Sequence, residues 1–155
     1  MSMRLYKKIM LALLILLIVI QFIQPARNSS GQVLRADITK AVGVPDSALH
    51  ILKIACYDCH SNNTRYPLYA YLQPMGWMMA SHISNGKANV NFSEFGTYSK
   101  RKQANKLRSI TTSIQEGSMP ISSYIIMHKD ARLSAEDKNI IIGWASAAKD
   151  SLEKN

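Results

Sequence analysis

Apolar residues run without interruption in only one part of the chain, Ile9–Ile20, which comes after a short basic start and continues past Gln21 to Phe22 and Ile23. Fifteen residues in a helix span about 22 Å, enough for a thin membrane span if Leu5 and Tyr6 join it and the basic side chains snorkel. No small-x-small cleavage site succeeds the run, since the exit reads Gln24-Pro25-Ala26-Arg27, and no cysteine stands there for lipid attachment. The pattern therefore predicts one N-terminal transmembrane helix within an uncleaved anchor, residues 1–27. The basic residues ahead of the run would keep the N-terminus inside and place the rest of the chain outside.

Beyond the anchor the periodicity is helical. Asn28-Ser29-Ser30-Gly31 opens a stretch read as a flexible tether, residues 28–44. A domain is expected over 45–150, with a tail at 151–155. Asp46 can cap a helix through Leu49, Ile51, Leu52 and Ile54 that leads into Cys56. A second helix is predicted from about Gly76 to Asn85, with Trp77, Ala80, His82 and Ile83 near its buried side and Gly86 ending it. Residues 89–96 read as irregular. Ser99 caps a third helix through Ile114, with Gly117 as its C-cap. Ser134-Ala135-Glu136-Asp137 resembles a capping box, and Ile140, Ile141, Trp144, Ala145 and Ala148 form the apolar stripe of a last helix. No segment alternates as a strand should. The fold class is all-α.

Charge adds little. Four of the nineteen basic residues flank the apolar run, and from Asn28 onward fifteen basic residues face ten acidic ones. That mild excess suits an acidic protein partner or anionic lipid headgroups. Lys100-Arg101-Lys102 with Lys106 and Arg108 reads as the solvated face of the third helix; no aromatic interleaving or known motif points to nucleic acid.

The chemistry lies in the two cysteines, which stand three positions apart in Cys56-Tyr57-Asp58-Cys59-His60. This is the C-x-x-C-H pattern of covalent haem attachment. Two thiols at that spacing match the two vinyl groups of one haem, and the adjoining imidazole reaches the iron as its proximal ligand. The expected cofactor is therefore one haem c, with Cys56 and Cys59 as thioether positions and His60 on the metal. A redox dithiol would want a βαβ context that this pattern lacks. A zinc site would have to recruit His50, His82 or His128 at no recognised spacing.

A second axial ligand is expected for an electron carrier. Met119 stands in Glu116-Gly117-Ser118-Met119-Pro120, past a helix end, where glycine lets the backbone turn and proline stiffens the segment beyond the methionine. Met75, Met78 and Met79 around Trp77 read as packing residues. Met127, His82 and His128 are the alternatives to Met119. Tyr66, Tyr69, Tyr71 and Trp77 read first as core, with Trp77 a candidate for lining the haem. Arg65 is a candidate for pairing with a haem propionate.

The layout from Cys56 to Met119 resembles small class I cytochromes c. More narrowly, Cys56–Asn62 with Arg65-Tyr66-Pro67, Gln73-Pro74, Asn91-Phe92-Ser93-Glu94 and Met119-Pro120 looks like the haem-binding domain family of small bacterial monohaem proteins, over roughly Pro45 to Ala148. The resemblance implies a small cytochrome c-like helical domain around one haem, exported or anchored. It carries over Cys56, Cys59 and His60 and, less directly, Met119. With Leu68 and Met78 the chain departs from the more aromatic family pattern. The expected function is single-electron exchange with a redox protein partner, by a single-pass inner-membrane protein whose haem domain faces the periplasm, and without enzymatic activity. The competing expectation is a haem-based sensor or peroxidase-like enzyme with a displaceable sixth ligand.

Overall fold

The computed structural model describes residues 3–30 and 35–154; Gly31 of the expected tether and Asn155 of the tail lie outside them. Among the described residues no strand forms, and one isolated bridge pairs Ser29 with Asn63. The α-helices in chain order are α1 (Met3–Ile20), α2 (Ile38–Ala41), α3 (Asp46–Ala55), α4 (Tyr57–His60), α5 (Met75–Asn89), α6 (Lys100–Gln115), α7 (Ser122–Met127) and α8 (Ala135–Lys154). The all-α expectation holds.

The transmembrane expectation does not. No helix among the described residues is long and apolar enough to cross a membrane. Helix α1 has 18 residues, and Arg4, Lys7 and Lys8 occupy its first turns. The apolar part, Ile9 to Ile20, rises only about 18 Å against a hydrocarbon core of about 30 Å. After Ile20 the chain turns out of the helix, so Phe22 and Ile23 do not lengthen it. The single-pass inner-membrane placement, with a periplasmic haem domain, falls with that span.

Residues 21–30 are instead stitched to the domain. Gln21 Oε1 accepts from the Gln73 amide at 2.8 Å, and Gln73 Nε2 donates to Gln24 Oε1 at 3.0 Å. The Arg27 guanidinium lies between two rings, 4.5 Å from the centre of Tyr66 and 4.1 Å from that of Tyr71, a cation–π arrangement. Asn28 Nδ2 donates to the Ser61 carbonyl and to Thr64 Oγ1, both at 2.8 Å. Further on, Asp37 caps α2 by accepting from the Thr39 amide, and Ile38 is fully buried.

The main core joins α3, α6 and α8, with Leu52, Leu107, Ile141, Trp144, Phe92 and Phe95 at its centre. Each such side chain contributes roughly 1.5–3 kcal/mol by leaving water. A smaller cluster, Ala70, Met79 and Ile83, lies on the other side of α4. The C-x-x-C-H segment runs between the two: Cys56 and Tyr57 pack on the large core, Cys59 on the small one.

Local signals explain most helix ends. Ser99 Oγ accepts from the Lys102 amide, and Gly117 takes φ +68° just beyond α6. Ser134 and Asp137 form the reciprocal box: Asp137 Oδ2 accepts from the Ser134 amide at 2.9 Å, and Ser134 Oγ accepts from the Asp137 amide at 3.1 Å. Asp46 instead opens the first turn of α3, with Pro45 at the cap position.

Helix α5 differs from expectation in length and face. It runs through Gly86 to Asn89, and its buried residues are Gly76, Met79, Ile83 and Gly86, while Trp77 lies on the open side. The glycine is required by a close crossing, not by a helix end: a Cβ at Gly86 would lie 2.5 Å from the Cys59 carbonyl oxygen. Gly86→Ala should therefore push α5 away from α4 and cost about 1–3 kcal/mol, measured as a lower denaturant midpoint.

Candidate functional site

The residues that flank Cys56–His60 fix its shape. The amides of Cys59 and His60 both bond to the Cys56 carbonyl, which curls the motif into one tight turn and brings both cysteines and the imidazole to one cleft. The ring of His60 is oriented by the chain after α5. Its Nδ1 lies 3.1 Å from the Val90 carbonyl oxygen. A carbonyl can only accept, so Nδ1 carries the proton and Nε2 keeps a free lone pair. Phe92 supports the ring, centroid to centroid 5.8 Å.

Asn91-Phe92-Ser93-Glu94 also clamps the turn after His60. Asn91 Nδ2 donates to Asn62 Oδ1 at 2.9 Å, the Asn62 amide donates to Ser93 Oγ at 3.0 Å, and Asn62 Nδ2 donates to Glu94 Oε1 at 2.9 Å. These polar groups satisfy one another, as buried polar groups must.

Asp58, between the two cysteines, is a buried carboxylate with four donors. The Arg65 amide and Nε reach Oδ1 at 3.0 and 3.2 Å, Arg65 Nη2 reaches Oδ2 at 3.2 Å, and Tyr124 Oη donates to Oδ2 at 2.7 Å. Tyr124 thereby ties α7 to the motif, and its ring stacks on His128 at 4.2 Å. His128 is also within hydrogen-bond reach of Tyr69 Oη, at 2.8 Å from its Nε2.

The cleft has two lobes, of about 370 and 240 Å³, which share Cys56, His60, Asn89 and Met119. Together they fall in the range of cavities that enclose a cofactor-sized ligand. The first lobe adds Cys59, His82 and Tyr124. The second is walled by Leu52, Ile110, Ile114 and Ile141, with Lys106 as its cationic side chain. A wide groove of about 1180 Å³ is bordered by Lys40, Tyr98 and Trp144. It holds none of the C-x-x-C-H residues, so the smaller cleft is the site.

Burial sets the electrostatics of the two thiols. Burial, then the neighbouring Cys59, pushes the Cys56 thiol up to about 12. Burial, then the Asp58 charge, pushes the Cys59 thiol to about 11. A reactive dithiol has the opposite shift. Among the described residues no group of three or more His, Cys, Asp or Glu side chains could hold a metal ion. Burial lowers the His60 pKa, against the opposing influence of the Val90 and Gly86 carbonyls. The imidazole is thus held neutral, the form that binds iron.

Of the residues singled out from sequence, Cys56, Cys59, His60 and Met119 line one cleft, and His82 joins them. His128 and Trp77 are not among the lining residues; the Trp77 indole donates to the Ile23 carbonyl at 2.8 Å. Arg65 also does not line it, being turned to Asp58 and to the Lys53 carbonyl. Two participants escape a reading of the sequence. Lys106 reads there as part of a solvated helix face, although its i, i+4 relation to Ile110 puts it at the edge of the buried stripe. The Val90 carbonyl is a backbone group that no side-chain signal marks.

A cofactor-sized apolar cleft, with a neutral imidazole presenting a bare nitrogen and two sulfurs at its floor, defines a haem-binding protein. The match to a family model agrees: the Haem-binding domain model covers residues 15–147, and the chain belongs to that family. The match begins about thirty residues before the Pro45 start expected from the motifs, and so takes in the stitched segment 21–30. Comparison with curated proteins gives no match, and comparison with solved structures gives none.

The lowered His60 pKa has a consequence for stability. Between its depressed folded value and the ordinary 6.5, the unfolded chain binds more protons than the folded one. Stability from this group is complete above about 6.5 and is lost as pH falls through that window. Melting temperature against pH on the haem-free chain should show this loss, and His60→Gln should remove that part of the slope.

Proposed function

We propose that the chain carries one haem c, attached through Cys56 and Cys59 with His60 as iron ligand, and works as a single-electron carrier. When bound, the haem supplies a one-electron Fe(III)/Fe(II) couple. The observation that carries the reading is the convergence of both cysteines, the neutral His60 and Met119 on one cleft.

Cys56 and Cys59 would hold the haem by thioether bonds, each S–H adding across one vinyl group, sulfur to one carbon and hydrogen to the other, with no external oxidant needed. The Val90 carbonyl holds the His60 tautomer that presents Nε2. Met119 offers a soft thioether from the loop after α6 and is the proposed second ligand. The walls of Leu52, Ile114 and Ile141 exclude water and lower the local dielectric. Lys106, the cationic side chain of the second lobe, would take the propionate role first considered for Arg65. No substrate bond is made or broken; the electron passes to a redox protein, for which the mild positive charge of the domain favours an acidic surface.

A haem sensor or peroxidase-like enzyme is the second reading, favoured by one observation: His82 lines the same lobe as Met119 and could act on a ligand that displaced the thioether.

Two experiments test the proposal. Colour should stay with the polypeptide after acid-acetone extraction of material matured in a competent host, and Cys56→Ala with Cys59→Ala should release it. The oxidised protein should show the weak far-red band of sulfur-to-iron ligation, which Met119→Ala abolishes. A band that survives the substitution assigns the ligand elsewhere, and rapid carbon monoxide binding by the unaltered protein favours the sensor reading.

A further inference from the structure

Met75, Met78, Met79 and His82 stand at i, i+3, i+4 and i+7 of α5, so one helix face carries three thioethers and an imidazole. Met127 of α7 meets them across a small cavity of about 30 Å³, which Cys59 also borders. That volume admits a single water-sized guest or one ion.

We propose that these four methionines, with His82, form a site for a soft monovalent cation, copper(I). The lining separates this cavity from a packing void. The second lobe of the haem cleft is walled by leucine and isoleucine, whereas the small cavity has no Leu, Ile or Val: beside the rings of Tyr69 and Tyr124, its apolar lining is methionine. Four of the chain's eight methionines gather there. Nor are they all core: Met78 is 41% and Met127 49% exposed, while Met79 is buried at 7%. Two thioethers at the mouth and one at the base let an ion enter from solvent. No carboxylate borders the cavity, so nothing offsets the charge of a hard divalent cation. Neutral sulfur donors with one imidazole select Cu(I) over Zn(II) or Ca(II). The site does not depend on haem attachment, although His82 borders both cavities and serves one ion at a time.

The test is a copper(I) titration of the haem-loaded full chain against bicinchoninate, under argon with ascorbate, after any free thiol has been blocked with iodoacetamide. One equivalent should be withheld from the competitor while the Soret spectrum stays unchanged, and zinc(II) should not be retained. Met78→Leu with Met127→Leu, which preserves volume and apolarity, should weaken retention by at least roughly ten-fold. Complete stripping of copper by the competitor would overturn the proposal, as would equal retention by the double variant or by zinc. A Soret band that moves with copper would put the ion in the haem cleft instead and overturn it equally. Thiol blocking keeps this result separate from the fate of Cys56 and Cys59.

Discussion

One hydrogen bond, from His60 Nδ1 to the Val90 carbonyl, is the constraint on which the rest of the site is arranged. It decides which nitrogen holds the proton, and therefore which one faces the cleft. It holds only if Val90 stays where α5 ends, and α5 stays where Gly86 lets it cross Cys59 without a side chain between them. Asn91, Phe92 and Ser93 continue from Val90 to support the ring and lock the turn after His60. A backbone contact, a missing Cβ and a short polar loop thus set the orientation of one imidazole.

Asp58 plays the matching role on the opposite side. A buried carboxylate is costly unless its lone pairs are occupied, and Arg65 and Tyr124 occupy them. The pairing explains why an arginine so close to the C-x-x-C-H segment does not reach the cleft. It also anchors α7, and with it the loop that carries Met119, to the cysteine-bearing turn. The ion pair is worth little as a surface contact, since the Arg65 side chain is 64% exposed; its effect lies in satisfying the buried partner.

How much can be read from the chain alone depends on the range of each interaction. The C-x-x-C-H pattern is contiguous, so its chemistry is visible in five residues. The Ser99 cap, the Ser134–Asp137 box and the stripes of α6 and α8 are also local, and their helices fall where the periodicity puts them. The extent of α5 is not legible, because glycine is a helix stop by propensity and only the crossing with α4 explains its interior place. Trp77 goes to the wrong face on periodicity for the same reason. The Arg65 pairing and the Val90 contact depend on tertiary proximity. Helix α1 looks like a membrane span when judged on its apolar run, but a helix that begins in three cations and ends at Ile20 leaves too little apolar rise.

The raised thiol values bear on the order in which the molecule is built. With values near 11 and 12, only about one in ten thousand of either sulfur or fewer would be ionised at neutral pH. In the folded chain burial thus disfavours the thiolate at both sulfurs. On the proposed attachment, the time for bond formation is therefore while the turn around Asp58 is still open to water. With that attachment, compaction would then seal the product, and maturation would come before the final packing of the domain.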